Sequence, residues 1–451
     1  MDKQLYPLTQ SQALMFFEMD LIPYKGIVNI CEEFEFRSEI DKNLMMQALN
    51  LAMMRNPNNY VRLVKQENKQ IMQYFTDESL DKIEYLEFTS EDEYQKSLKK
   101  FNCTPFPNKH IGTQLVRIRF VKKPNGLYAI NGCFSHVIYD AYSIMQLMAD
   151  ICSIYKALLH GTPFPEQTYS PIKAYEDDYK YFESDRRKAD EEYMRNELFG
   201  TEPQYTTING KGDKSYIKGK KYGKFGFNLK MSPGMLNIPI AKEYNDAVVK
   251  YAEENKITAE TVYMLASRTF LAHVCDVDDV LINNVIGRRN TVAQKKAGGS
   301  MADGSFVRTI FGLDETFNDS LKKTYAAIMD CYKHANYGAQ AGLDITHEKY
   351  NCPKSGVYYT MLLTYQMGSI EDDEIKYTFT RLDNGHEISN FYLSVMPCDS
   401  EGNYFANYAY QADFIKEEKV REFHDFMIKF IEEGMKDGTK SVKEIIEKIG
   451  K

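Results

Sequence analysis

Between residues 126 and 161 the chain changes period. LYAINGCFS, apolar apart from Asn131 and Gly132, gives way within a few residues to a segment whose apolar positions fall at helical spacing. Ile144, Leu147, Met148, Ile151, Ile154, Tyr155, Leu158 and Leu159 follow three or four apart along one helical face, and His160-Gly161 supplies a stop. An apolar run of strand length feeding a long amphipathic helix through a short turn predicts an α/β (α+β) fold, with the turn at a sheet edge where side chains reach open space. The turn reads Phe134-Ser135-His136-Val137-Ile138-Tyr139-Asp140-Ala141-Tyr142-Ser143, an HxxxD pattern. An imidazole with a pKa near about 6.5 is mostly neutral at pH 7 and accepts a proton from an attacking hydroxyl or amine. Asp140 need not touch that ring; it is read as an anchor that binds an arginine and fixes the turn. Alone the pattern is weak, because a His hydrogen-bonded to backbone in a capped turn fits it equally.

Elsewhere helical spacing predicts helices over 38–54, 245–254, from an N-cap at Thr258 with Val262, Leu265 and Phe270 on one stripe, and over 417–435, taken as the last element. Alternation predicts strands at 60–64, 113–121, 280–286, 305–310, 358–365, 375–381, 388–396 and 403–410. Residues 175–198 read as a charged, Tyr-rich helical stretch. Residues 200–226, with repeated Gly and Lys211, Lys214, Lys218, Lys220, Lys221 and Lys224, read as a solvated, mobile linker in preference to an anion or carrier contact. The division expected is therefore an N-terminal lobe over 1–175, a linker zone over 176–230 and a C-terminal lobe over 231–451.

The charge balance, 56 Lys plus Arg against 64 Asp plus Glu, lacks the basic surplus of a general nucleic-acid binder. With no apolar stretch of about 20 residues and no apolar signal core at the N-terminus, a cytoplasmic protein without membrane contact is expected, as a monomer. The eight cysteines stand singly, which fits reduced thiols and speaks against a structural zinc site; no metal is expected. His273, His334, His347, His424, His110 and His160 are read as structural or exposed, and His386 as a turn residue.

The HxxxD turn resembles the HHxxxDG core of condensation domains of nonribosomal peptide synthetases, within the chloramphenicol acetyltransferase-like acyltransferase superfamily. Tyr6-Pro7-Leu8-Thr9-Gln10-Ser11-Gln12 resembles the family's opening "YPLTPAQ", and Arg55-Asn56-Pro57-Asn58 its "RHPxLR". Thr258 with its helix, Asp278-Asp279-Val280 and Val285-Ile286-Gly287-Arg288 are similar to the family's "vsGR" segment. Gly304-Ser305-Phe306-Val307-Arg308-Thr309 is similar to "GMFVNT", and 406–426 to its terminal strand and helix. The likeness covers nearly the whole chain.

The resemblance implies two acetyltransferase-like lobes forming a V-shaped pseudodimer, with the HxxxD turn at the floor of a central tunnel. His136 corresponds to the motif's second His and is implied to position and deprotonate an amine or hydroxyl acceptor, or to stabilise the tetrahedral intermediate. Asp140 is implied to be structural, with Arg288 as its partner by the "GR" match. Ser143, Thr309, Tyr365 and Gln366 are the expected tunnel-lining residues. No bound cofactor is implied: the donor is a thioester on CoA or on carrier-protein phosphopantetheine. Because the two halves consume the chain, the expectation is a free-standing, divergent member that meets an acyl or peptidyl carrier protein in trans and a small-molecule acceptor.

Ser135 replaces the motif's first His and cannot act as a base. Ala141 replaces its Gly, adding a methyl that narrows the space or demands other torsions. The chain has no Trp, and Tyr179 and Tyr181 stand in the region of the family's usual indole. The alternative is an inactive condensation-like scaffold that docks a carrier protein or partner enzyme; retention of His136 and Asp140 favours the acyltransferase.

Overall fold

A computed structural model describes residues 4–224, 230–366 and 372–450. The period change is realised as a strand, Tyr128–Ser135, and a helix, Ala141–His160. Gly161 ends the helix at φ 65°, a left-handed cap that costs a residue without Cβ little. The helix buries Ile144, Leu147, Met148, Ile151 and Tyr155 against the helix Lys42–Arg55 and the first sheet. Each such side chain taken from water contributes roughly 1.5–3 kcal/mol.

Tyr128–Ser135 lies at the centre of a five-stranded sheet, ordered Tyr377–Leu382, Asn29–Phe36, Tyr128–Ser135, Val116–Lys122, Glu84–Glu87. All pairs are antiparallel except the last. A six-stranded sheet carries the second half, ordered Asp303–Ile310, Asp279–Ile286, Met361–Tyr365, Phe391–Pro397, Tyr404–Gln411, Pro233–Ile240. Its helix Ala259–Cys275 is buried along almost its whole length, covered by Glu417–Lys436, and Thr258 caps it through the Thr261 amide as expected.

Several features depart from expectation. Tyr377–Leu382 follows the second half in sequence but is an edge strand of the first sheet, paired with Asn29–Phe36. Asn29–Phe36 itself, NICEEFEF, gave no signal because it buries two glutamates. Glu33 is bonded by Lys123 and Asn131, each at 2.8 Å, and by the Tyr94 hydroxyl. The chain ends not on Glu417–Lys436 but on a further helix, Val442–Ile449. Helices Gln10–Leu21, Glu91–Cys103, Phe317–Lys333 and Ala339–Lys349 were also not anticipated.

The Lys-rich stretch is not a free linker where it is described. Tyr205, Thr206, Thr207 and Ile208 are buried, the Thr206 amide donates to the Tyr358 carbonyl, and Lys211 pairs with Asp276 at 2.7 Å. The buried residues 205–208, which precede the lysines, fasten its start to the second half, while the lysines themselves are exposed. Gly226 lies outside the described residues.

Candidate active site

The strand Tyr128–Ser135 delivers Ser135 and His136 to its C-terminal end, where the His136 amide donates to the Val28 carbonyl at 2.8 Å. Asp140 then caps the following helix. Its Oδ1 accepts from the Ser143 amide at 2.9 Å, while Ser143 Oγ accepts from the Asp140 amide, closing a capping box. Ala141 is the first helical residue and is not among the residues of positive φ, so its methyl demands no unusual torsion.

The arginine that holds Asp140 is Arg289, not Arg288. Arg289 donates its two terminal nitrogens to the two carboxylate oxygens at 2.8 and 3.0 Å, a bidentate fork with both side chains buried. The amides of Met301 and Ala302 add bonds to Oδ2 at 2.9 and 3.1 Å. Arg288 instead pairs with Asp178 at 2.6 Å and lies 3.6 Å from Asp303. The reason is local: Arg288 has φ 50°, a left-handed residue that reverses the chain between the two side chains. Burial works against the Asp140 charge, but Arg289 and the converging amides outweigh it and hold the carboxyl below its usual range.

His136 is partly exposed, and its Nδ1 has no hydrogen-bond partner among the described residues. Burial pulls the imidazole below its ordinary pKa; Asp140 and the carbonyls of His136 and Tyr139 oppose this, and Arg381 adds to the lowering. The ring is therefore neutral at pH 7, the state in which it accepts a proton. Asp140 acts on it through charge and through the turn, without a hydrogen bond.

Two clefts are lined by residues from both halves of the chain, each including a residue that bonds or pairs with the turn, though His136 itself lines neither. One holds Asn29, Ile30, Arg381, Asn384 and Glu387, and Asn29 pairs in register with Ser135. The other holds Ser11, Asp178, Arg288 and Met301, whose amide bonds Asp140. Arg381 acts electrostatically on His136, Glu32 and Glu387. Burial lifts Glu18 to about 7, with Asp303 and Glu387 reinforcing the shift.

None of the four expected tunnel residues lines either cleft. Ser143 is consumed by the cap. Thr309 receives a bond from Arg268 at 3.2 Å, and Tyr365 stacks on Tyr263 and bonds Asn245. Gln366 is partly exposed at the end of Met361–Tyr365, its amide bonded to the Val395 carbonyl. Tyr179 and Tyr181 find partners in the Pro7 carbonyl and Asp190.

Sequence reasoning missed Arg289, for which the adjacent Arg288 was the nearer match. His110, read as structural or exposed, is fully buried with Nδ1 2.9 Å from Ser135 Oγ. Nothing in the local sequence signals that contact. Six of the eight cysteines are buried and all eight are free. Among the described residues no group of three or more His, Cys, Asp or Glu is placed to hold a metal ion.

The two sheets with their covering helices form the two-lobed fold of the chloramphenicol acetyltransferase-like proteins. The family model of the condensation domain matches residues 2–447, and the chain belongs to that family. Condensation domains are in general acyltransferases. Curated relatives include surfactin synthase subunit 1 of Bacillus subtilis (strain 168), 22% identical over 99% of this chain, and a plipastatin synthase polypeptide of the same organism, 17% identical over 99%. The chain spans 12% and 17% of those relatives' lengths. Among solved structures, the first condensation domain of the calcium-dependent antibiotic synthetase in complex with a substrate analogue aligns with a TM-score of 0.80 at 15% identity, over 98% of both chains. The starter condensation domain of rhizomide synthetase in complex with C8-CoA aligns at 0.79 and 14%, over 98% of this chain and 96% of that one. No helix among the described residues is long and apolar enough to cross a membrane.

Proposed function

We propose that the protein transfers an acyl or aminoacyl group from a thioester, on CoA or on carrier-protein phosphopantetheine, to an amine or hydroxyl acceptor, with His136 as the base. The observation that carries this reading is a partly exposed imidazole, its pKa lowered by burial, at a turn that the buried Asp140–Arg289 pair holds across the two halves of the chain. A thioester is already activated, so the protein has only to align the partners, take up a proton and stabilise the oxyanion. The nucleophile's lone pair attacks the thioester carbonyl as its proton passes to His136. The tetrahedral intermediate then expels the thiolate, which takes the proton from the imidazolium. Asp140 and Arg289 keep the turn in register during both steps. That a mutant of the starter condensation domain of rhizomide synthetase was solved in complex with C8-CoA supports an acyl-CoA as donor here.

The test is product mass spectrometry with a panel of acyl-CoA and acyl-carrier donors and amine or alcohol acceptors. His136→Ala is expected to lower transfer by roughly 10²–10⁴-fold, the usual weight of a general base. Equal transfer by wild type and variant overturns the assignment of His136.

A further inference from the structure

His110 ends the turn Pro107–His110, where Asn108, Lys109 and His110 take φ of 49°, 51° and 67° in succession. Three consecutive non-glycine residues in the left-handed region persist only where surrounding contacts enforce them. The contacts here converge on the His110 ring. It is fully buried, set edge-on to Phe106 at 5.3 Å, and its Nδ1 lies 2.9 Å from Ser135 Oγ. The loop is fastened on the far side as well, since the Gly112 amide donates to the Leu63 carbonyl at 2.8 Å.

Ser135 Oγ already accepts from the Val137 amide at 3.3 Å. The same oxygen bonds His110 Nδ1, so a continuous chain of bonds runs from the Val137 amide through Ser135 Oγ to the His110 ring. Burial pulls the His110 ring down to about 4, so it stays neutral across the working range and keeps one ring nitrogen as an acceptor and one as a donor. Val137 and Ser135 flank His136 on either side in sequence, so these bonds clamp the backbone that aims its ring. The Ser135 carbonyl completes the clamp by accepting from the Ile138 and Tyr139 amides at 3.0 Å.

We propose that His110 is a positioning residue for His136, acting from a separate loop through Ser135 Oγ, so that the chain supplies beside its base an imidazole that residue 135 does not carry. This rests on the base role assigned to His136. Asn reaches with its amide oxygen to the place of a histidine Nδ1 and tolerates the left-handed backbone. His110→Asn is thus the conservative variant.

The experiment is a cycle of His110→Ala, Ser135→Ala, the double variant and His110→Asn. It is read by kcat, KM and the rate at which diethyl pyrocarbonate modifies His136, followed by peptide mass at pH 7. Both single variants are expected to lower kcat by roughly 10–100-fold with KM unchanged, as for a displacement of a reacting group by about 1 Å. The double variant is expected to be no worse than either single one, because both cut the same chain, and His110→Asn to recover most of the activity. The modification rate of His136 is expected to shift in the alanine variants and return in His110→Asn. Losses that multiply in the double variant, or a lower melting temperature with kcat and His136 reactivity unchanged, overturn the proposal. If His136→Ala transfers acyl groups as well as wild type, the base assignment fails, and the reactivity cycle still decides whether His110 is coupled to His136.

Discussion

Asp140 shows how one side chain can be indispensable to a turn without touching the reacting ring. Its carboxylate gathers both ends of the Arg289 fork and the amides of Ser143, Met301 and Ala302. Asp140→Asn leaves Arg289 as a buried cation without its counter-charge and is expected to cost about 3–5 kcal/mol, measured by chemical denaturation. The sign of its pH dependence follows from a depressed carboxyl: the stabilisation is present above the unfolded-state value and is lost only as pH falls through the lower folded value. His136 is shifted in the same direction. Burial lowers it, so the acidic limb of kcat/KM against pH is expected at a midpoint below the usual 6.5, and a midpoint at or above it counts against a desolvated base. Glu32, buried in Asn29–Phe36 with Oε2 unpartnered, is pushed up to about 8 by desolvation. A carboxyl raised in the folded state costs stability progressively as pH climbs from its unfolded value near about 4.3 towards the folded one. Glu32→Gln is expected to remove that loss, melting several degrees above wild type at pH 8 and no higher at pH 4.5.

The elements legible in the sequence were those whose burial has a simple period. Ala141–His160, with one apolar stripe, and Val116–Lys122, with its alternation, were found within a few residues of their ends. Asn29–Phe36 was not, because it buries Glu32 and Glu33, the latter through partners on Lys123, Asn131 and Tyr94 that lie far away in the chain. Tyr377–Leu382 was recognised as a strand but its sheet was not, since alternation says which face is buried and nothing about the neighbour. Phe379 on this strand packs on Phe34 at 5.1 Å and stacks on Phe405 at 5.9 Å, joining the two sheets. Phe379→Ala is expected to cost about 3–5 kcal/mol, as large core truncations do, in the same denaturation experiment.

Across the whole molecule, the two halves are tied by the crossing strand Tyr377–Leu382, by Arg289 on Asp140 and by Arg288 on Asp178. Residues 1–224 expressed alone would leave the edge of Asn29–Phe36 unpaired, and light scattering is expected to show aggregation where the full chain stays monodisperse. What the sequence by itself determined is local: an apolar strand handing over to an amphipathic helix, a histidine at the hand-over, an aspartate four residues on that caps the helix. These follow from period and propensity, which neighbouring residues set among themselves. Only the tertiary structure decided which of two adjacent arginines meets Asp140, that His110 stands behind Ser135, and that Tyr377–Leu382 completes the first sheet. Each of these is a contact between residues more than twenty positions apart, fixed by how buried polar groups find partners once the chain has closed, and no short window of sequence contains both members.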